Sequence, residues 1–249
     1  VSYGPHYPFV LNKGVTMIGS VTRIVTDSSH PVREFKIRVP AGQVAHLRGF
    51  EFGTTEWIEH GIPQKFGRLI VESGRVTIEE CEVDSSRHGI RVDHGADVVL
   101  KSSKFFGGVN HIYGGYSGAG GVIAGRAVVT DCEFRGVGSS WPEYASTPGL
   151  VVEGILHAQR TTTRGGRGTP SGPPGMAGLH SKGRVWMVNC GIHGGRRGGN
   201  AYGGNAVLSE SVRVRLARCV LTGESVRRPL NRGPVDLHAP LVETASSAS

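Results

Sequence analysis

The side chains that could carry out acid–base chemistry lie in two parts of the sequence. Asp93 and His94 belong, with His88, to the densest polar cluster on a strand-like segment, and Glu153 and Lys182 stand 29 residues apart. A positioned carboxylate, imidazole or amine can give or take a proton. The candidate catalytic residues are therefore Glu153, Lys182, Asp93 and His94. The alternatives are a plain cross-strand ion pair between Glu153 and Lys182 and a solvated strand end around His94.

A second set of candidates consists of aromatic and arginine side chains in or beside glycine-rich segments. Four such segments span 107–120, 136–148, 165–177 and 194–205. Aromatic rings stack on flat groups and attract cations, and guanidinium groups bind carboxylates through two parallel hydrogen bonds. The alternative is that the segments pack on each other or on a neighbouring subunit. The candidate ligand-binding residues are Tyr113, Tyr116, Trp141, Tyr144, Arg135, Arg164, Arg167, Arg196, Arg197 and Tyr202.

These candidates must be positioned by a repeat, which the cysteines reveal. Cys132, Cys190 and Cys219 fall in similar contexts on a 29-residue interval, with Ser103 one interval before Cys132 and Thr161 midway between Cys132 and Cys190. Cys81 precedes Ser103 by 22 residues, which indicates a shorter turn of the same repeat. Four residues beyond each 29-residue anchor stands a glycine: Gly107, Gly136, Gly165, Gly194 and Gly223.

Each repeat has the pattern of about three short strands. Apolar residues five and three positions before the anchor alternate with polar or variable ones, which is a strand period. The alternation then slips at a polar position just before the anchor, where we predict a tight bend. A third apolar run precedes each unit. Such a unit cannot bury its inner face alone, so copies must stack, with equivalent residues about 4.8 Å apart. The predicted bend residues are Glu80, Ser102, Asp131, Arg160, Asn189 and Arg218.

Units of the form V-x-[VIL]-x-x-C-x-[FIL]-x-G resemble the right-handed parallel β-helix of the pectate-lyase-like superfamily. The resemblance implies an all-β, single-stranded right-handed parallel β-helix, a solenoid of about 7–8 coils of 22–31 residues each. It divides the chain into an N-terminal lead-in and cap (1–44), the β-helix (45–223) and a C-terminal cap or tail (224–249). These folds host many functions, so the architecture does not fix the activity.

The resemblance also implies one possible chemistry. Lyase-like members bind Ca²⁺ through acidic residues on adjacent coils and use a basic residue to abstract a proton. Candidates for the Ca²⁺ ligands here are Asp93, Asp97, Asp131, Glu133 and Glu153, with Lys182 or Arg135 as the base. The aspartate strings that polygalacturonase-like members use are absent from this sequence. We therefore predict no cofactor or metal, except Ca²⁺ if the protein is a lyase.

Charge and cysteine usage point to the class of partner. The net charge of +8 and a pI near 9.6 favour acidic partners. Two RGG-like strings are weak grounds for nucleic acid in so glycine-rich a chain, and no run is long enough to span a membrane. Cys190 and Cys219 would be neighbours in one ladder, within disulfide range. We favour free thiols that fill the ladder, which is the common use of buried cysteine.

The sequence thus predicts a non-catalytic or weakly catalytic β-helix module. It would bind acidic polysaccharide or other protein subunits through its Gly/Arg/aromatic loop face, in a surface or virion-like structural or adhesion role. By analogy with spike-like relatives it would form a homotrimer. An extracellular, cell-surface or virion location follows from the resemblance alone. The alternative is a pectate-lyase-like lyase or hydrolase that acts on an acidic polysaccharide.

Overall fold

A computed structural model gives the structure of the chain. It describes residues 9–26, 34–54, 57–59, 62–64, 68–85, 87–110, 116–138, 146–168, 174–198, 203–210, 213–223, 236–238 and 242–243.

All regular elements of the described residues are strands. Their bounds are β1 (Phe9–Leu11), β2 (Thr16–Thr26), β3 (Glu34–Arg38), β4 (Val44–Thr54), β5 (Trp57–Glu59), β6 (Ile62–Gln64), β7 (Arg68–Glu79), β8 (Glu82–Asp84), β9 (Ile90–Lys101), β10 (Lys104–Phe106), β11 (Val109–Asn110), β12 (Tyr116–Ser117), β13 (Gly121–Ile123), β14 (Arg126–Thr130), β15 (Glu133–Arg135), β16 (Leu150–Val152), β17 (Ile155–Gln159), β18 (Thr162–Arg164), β19 (Leu179–Ser181), β20 (Arg184–Val188), β21 (Gly191–His193), β22 (Val207–Ser209), β23 (Val214–Ala217), β24 (Val220–Thr222), β25 (Asp236–His238) and β26 (Val242–Glu243).

Twenty-two of the strands stack in parallel, so the chain is an all-β parallel solenoid, as predicted, and β5–β6 and β11–β12 form two small antiparallel hairpins. Each turn contributes to three sheets: a leading sheet (β13, β16, β19, β22), a pre-bend sheet (β14, β17, β20, β23) and a post-bend sheet (β15, β18, β21, β24). The first and second halves of β7 and β9 supply the leading and pre-bend sheets, and β8 and β10 the post-bend sheet. The 29-residue interval in the sequence equals the separation between paired residues of adjacent turns, since Val128 pairs with His157 and His157 with Trp186.

The solenoid has about six turns, slightly fewer than the seven to eight that the repeat predicted. The turns with all three strands run from Arg68 to Thr222. Before them, β4 continues through the bend as one strand of 11 residues and adds to two sheets. The long strands β2 and β4 lack the anchored three-strand unit, so counting sequence intervals overestimates the number of turns.

The predicted bends are real and have one backbone conformation. All six predicted bend residues have a positive φ, between 47° and 56°. This left-handed conformation turns the chain sharply, and it is costly for every L-residue except glycine and, to a lesser degree, asparagine and aspartate. Asn189 is thus well suited to the bend, whereas Ser102 and Arg160 occupy it because the stacked turns hold them there.

The anchor after each bend is a buried side chain that ties the bend together. Cys132, Thr161 and Cys190 each lie against the carbonyl oxygen two residues earlier, at 3.3, 3.0 and 3.3 Å. Ser103 donates in the same way to Lys101 and accepts the backbone N–H of Cys81. Small side chains with a donor fit this place, which explains why Cys, Ser and Thr alternate there.

All four cysteines are buried free thiols. Burial raises the pKa of Cys132 to about 11. The Cys190 thiol donates a hydrogen bond to the Cys219 sulfur, which together with burial raises the pKa of Cys190, and the same hydrogen bond lowers the pKa of Cys219. The structure therefore holds the four cysteines as unbonded thiols that fill space, and the raised pKa of Cys81, Cys132 and Cys190 disfavours the thiolate that a nucleophilic or redox role requires.

The inward positions of the strands form one continuous core. The rings of Phe105 and Phe134, one turn apart, stack with centroids 5.1 Å apart, and both side chains are fully buried. Thr163 and Ile192 occupy the same inward column in the next two turns, and both are fully buried. The strand alternation that the sequence predicted is confirmed by these columns.

Glycines fix the corner from which the loops leave. A Cβ on Gly165 would lie 2.0 Å from the carbonyl oxygen of Met176, where the loop returns. Met176 donates its N–H to Gly166, and Gly195 of the next turn donates to Met176. The bases of successive loops are therefore hydrogen-bonded to each other at one corner, which is the arrangement expected from the repeat.

Candidate ligand-binding surface

The structure brings one pair of the predicted catalytic residues together. Lys182 Nζ lies 3.9 Å from Glu153 Oε1 across adjacent turns, at the end of the leading sheet, and both side chains are about two-fifths exposed. This geometry is that of an ordinary surface ion pair. Neither the contact nor the exposure distinguishes a catalytic role.

The other two predicted catalytic residues lie apart from this pair. Asp93 pairs with Arg91 at 2.6 Å, and His94 is exposed. The strand register places Asp93 two turns from Glu153, with Ala124 between them, which is about 10 Å at the spacing of parallel strands. The four candidates therefore do not form one constellation.

A metal centre is not visible among the described residues. No group of three or more His, Cys, Asp or Glu side chains in that part of the chain could hold a metal ion. The carboxylates nearest to Lys182 and His180 are engaged in pairs, Glu153 with Lys182 and Glu210 with His180 at 2.7 Å. No helix of the described residues is long and apolar enough to cross a membrane.

Two of the candidate ligand-binding arginines, Arg135 and Arg164, form a column on the post-bend sheet. Arg135 pairs in register with Arg164, and Arg164 with His193. Glu133 lies on the same strand as Arg135, but its Oε1 lies 3.9 Å from Nε of Arg164 in the next turn. Arg135 makes no salt bridge with a described residue and is exposed. Burial and the charge of Arg164 both lower the pKa of His193.

The predicted loop residues divide into those at the loop bases and those beyond them. Arg167 and Arg196 are exposed at the bases, where their carbonyl oxygens accept hydrogen bonds from Ser146 Oγ (2.8 Å) and Gly168 N–H (3.0 Å). Arg197 is exposed beside them. The backbone of Tyr116 pairs with Asn110 in the hairpin β11–β12. Its side chain, and the residues Tyr113, Trp141, Tyr144 and Tyr202, lie outside what the structure describes.

A surface that the sequence did not predict lies on the outward face of the pre-bend sheet. It is an open groove of about 490 Å³, here called the aromatic groove, that extends over three turns. Two columns of side chains line it, Arg126, Ile155 and Arg184 in one and Val128, His157 and Trp186 in the other.

The second column of the aromatic groove is apolar and aromatic. The rings of His157 and Trp186 stack with centroids 4.7 Å apart and an interplanar angle of 17°. Val128, one turn before His157, is 45% exposed. Because the rings are one turn apart, the stack extends along the solenoid axis as an apolar wall. A partly exposed apolar wall beside charged residues is one mark of a binding site.

The first column places a positive charge at each end of the groove. Arg126 lies 3.6 Å from Asp97 of the preceding turn, and both are more than half exposed. Arg184 makes no salt bridge with a described residue and is exposed. Ile155 separates the two arginines. The groove therefore has an apolar centre, with the ion-paired Arg126 at one end and the exposed Arg184 at the other, which suits a ligand with apolar C–H surface and an acidic group.

Sequence reasoning missed this groove because it followed the inward columns. The outward residues were treated as polar or variable, although Val99, Val128, His157 and Trp186 form one column of the same register. Comparison of the outward positions turn by turn would have found it.

Comparisons of the chain with protein-family models, with curated proteins and with solved structures found no match.

Proposed function

We propose that the protein is a polysaccharide-binding β-solenoid that holds an acidic glycan in the aromatic groove. The observation that carries the proposal is the stacked pair His157–Trp186, flanked in the neighbouring column by Arg126 and Arg184. Sugar rings present apolar C–H surface that packs on aromatic walls, and their carboxylates or sulfates accept bidentate hydrogen bonds from arginine. The net charge of +8 adds long-range attraction for an acidic polymer.

The shape of the groove supports a polymer rather than a small molecule. The groove is open and extends across three turns instead of closing around a ligand. A chain can therefore lie along it and leave at both ends. The arginine column on the post-bend sheet, with Arg135 and Arg164, offers further cationic contacts one bend away in the same turns.

The proposal is binding without cleavage. The only carboxylate that a described salt bridge brings to the groove is Asp97, which pairs with Arg126. We further propose that the solenoid is the right-handed β-helix of the pectate-lyase-like superfamily, on the strength of the repeat units. The homotrimer and the extracellular or virion location stay predictions.

Isothermal titration calorimetry with polygalacturonate, alginate, hyaluronan and neutral dextran tests the proposal. We expect binding of at least one acidic polymer, weakened by salt, and none of dextran. Trp186→Ala should raise Kd about tenfold, which corresponds to about 1.4 kcal/mol. Val151→Ala, at an outward position of the leading sheet, is the matched control and should leave Kd unchanged.

Two results would overturn the proposal. One is a Trp186→Ala variant that folds and binds like the parent protein. The other is self-association that the Trp186→Ala change abolishes in a protein that binds no glycan, measured by light scattering over a range of concentrations. In that case a second copy of the chain, not a polysaccharide, occupies the groove.

A further inference from the structure

Two cysteines of the anchor column lie on adjacent turns. The register pairs Gly191 with Val220, so Cys190 and Cys219, which come directly before them, face each other one turn apart. The N–H of Val220 donates to the carbonyl oxygen of Cys190 at 2.9 Å, which fixes this alignment. Equivalent Cα atoms of stacked strands are about 4.8 Å apart, within the range of about 4.4–6.8 Å that a disulfide bridges.

The two thiols are in contact inside the core. Cys190 and Cys219 are each 2% exposed. Sγ of Cys219 lies 3.5 Å from the carbonyl oxygen of Met187, a residue of the preceding turn, so the thiol leans toward Cys190. The hydrogen bond that the Cys190 thiol donates to the Cys219 sulfur lowers the pKa of Cys219 to about 7. Cys219 therefore supplies a thiolate near neutral pH, with a second sulfur beside it.

The other two cysteines occupy the same column without a cysteine beside them. Cys132 is buried at an equivalent anchor, with Ser103 one turn before it and Thr161 one turn after it. Cys81 is preceded by Phe50 and followed by Ser103. The column thus provides a matched comparison, because all four thiols are buried alike and differ in whether another thiol adjoins them.

We propose that Cys190 and Cys219 are an oxidisable dithiol that closes to a disulfide and joins two turns of the solenoid covalently. The oxidant is hydrogen peroxide, which converts thiolates to sulfenic acids. The Cys219 thiolate attacks one peroxide oxygen, the O–O bond breaks, and the departing hydroxide takes a proton to become water. The Cys190 sulfur then attacks the sulfenic sulfur, and its proton leaves with the displaced hydroxide as a second water. Two thiols thus lose two electrons to one peroxide and give one disulfide and two waters.

The pair lies near one end of the solenoid. Cys219 belongs to the last turn that has all three strands, which ends at Thr222. Turns near the end of a stacked array open more readily than central ones, which gives a small oxidant access to a buried thiol. A bond between residues 29 positions apart closes a long loop, so oxidation should hold these turns together.

Thiol counting after treatment with hydrogen peroxide tests the proposal. We expect the folded protein to lose two of its four free thiols, and peptide mapping without reduction to find Cys190 linked to Cys219. Dithiothreitol should reverse the change. The linked form should unfold at a urea concentration about 1 M higher than the reduced form.

Two serine variants locate the reaction, and both should fold because Ser103 occupies an equivalent anchor. Cys190→Ser should form no internal link and should leave Cys219 as a sulfenic acid that dimedone traps. Cys132→Ser is the matched control from the same column, and it should form the Cys190–Cys219 link as readily as the parent protein.

Three results would overturn the proposal. Links that include Cys132 would show that pairing occurs in the unfolded chain. Retention of all four thiols by the folded protein, while the urea-unfolded protein is oxidised, would show that the turns keep the two sulfurs apart. A urea midpoint that does not rise would show that the disulfide does not hold the turns together. The inference is independent of glycan binding, so none of these results bears on the proposed function.

Discussion

The inward and outward faces of the same strands differ in how much the residue class varies from one turn to the next. On β14, β17 and β20 the inward residues Ala127, Leu156 and Val185 are all apolar and fully buried. On the outward face of these strands the residue class changes at each turn, from valine to histidine to tryptophan. Stacking constrains an inward side chain from both neighbouring turns, whereas an outward side chain is free to vary. Unusual outward chemistry is therefore informative about function.

The largest expected effect is a difference in the free energy of unfolding between a variant of the inward face and a variant of the outward face. Phe134 is fully buried and stacks on Phe105, so Phe134→Ala should lower the free energy of unfolding by about 3–5 kcal/mol. Trp186 is only half-buried, so Trp186→Ala should lower the free energy of unfolding by less; the ring stack that it loses is worth about 0.5–1.5 kcal/mol. Urea denaturation followed by circular dichroism measures both. Equal losses in the two variants would show that the groove residues are structural and would contradict the comparison.

The fold was predictable from the sequence because the inward face repeats. The anchors, the glycines four residues later and the bend residues recur on one interval, and each is fixed by a contact with the neighbouring turn. The bend at Asp131 could be placed to the residue, since both neighbouring strands change phase there. The number of turns was harder to predict from the sequence, because β4 continues through the bend as one unbroken strand.

The candidate site was largely not predictable, for the complementary reason. The outward column of Val128, His157 and Trp186 has no repeating residue type, so no periodicity marks it. The ion pair between Glu153 and Lys182 was visible as one of two alternatives, because both residues occupy the same column. The pairing of Glu133 with Arg164 rather than Arg135 depends on which way a side chain leans, which sequence spacing does not specify.

The pH dependence of stability should differ between variants of the half-buried His88 and of the exposed His94. His88 accepts the backbone N–H of Ala119 at Nδ1, 3.1 Å away. Burial and the charges of Arg68, Arg91 and Arg87 lower its pKa from 6.5 to about 4. The folded state therefore holds His88 neutral, while the unfolded chain takes up a proton below pH 6.5. Stability should be fully present above that pH and fall by up to about 3 kcal/mol as pH approaches 4.

The measurement for His88 is urea denaturation at pH 7, 5.5 and 4.5. His88→Asn keeps an acceptor for Ala119 but cannot be protonated, so its stability should depend less on pH over this interval. His94→Asn, at an exposed position, is the control and should keep the dependence of the parent protein. An unchanged pH dependence in His88→Asn would show that other groups cause it.

The smallest expected effect concerns the bends, where the backbone rather than a side-chain contact sets the cost. Ser102 has a φ of 47° and Asn189 one of 54° at equivalent places. Asparagine tolerates the left-handed conformation better than serine, so Ser102→Asn should stabilise the protein by about 0.5 kcal/mol. Asn189→Ser should destabilise it by a similar amount. Ser73→Asn, within the strand β7, is the control and should not stabilise, because asparagine is a poor strand former. Stabilisation by both asparagine substitutions would show that the gain does not come from the bend, and denaturation midpoints of the three variants decide the matter.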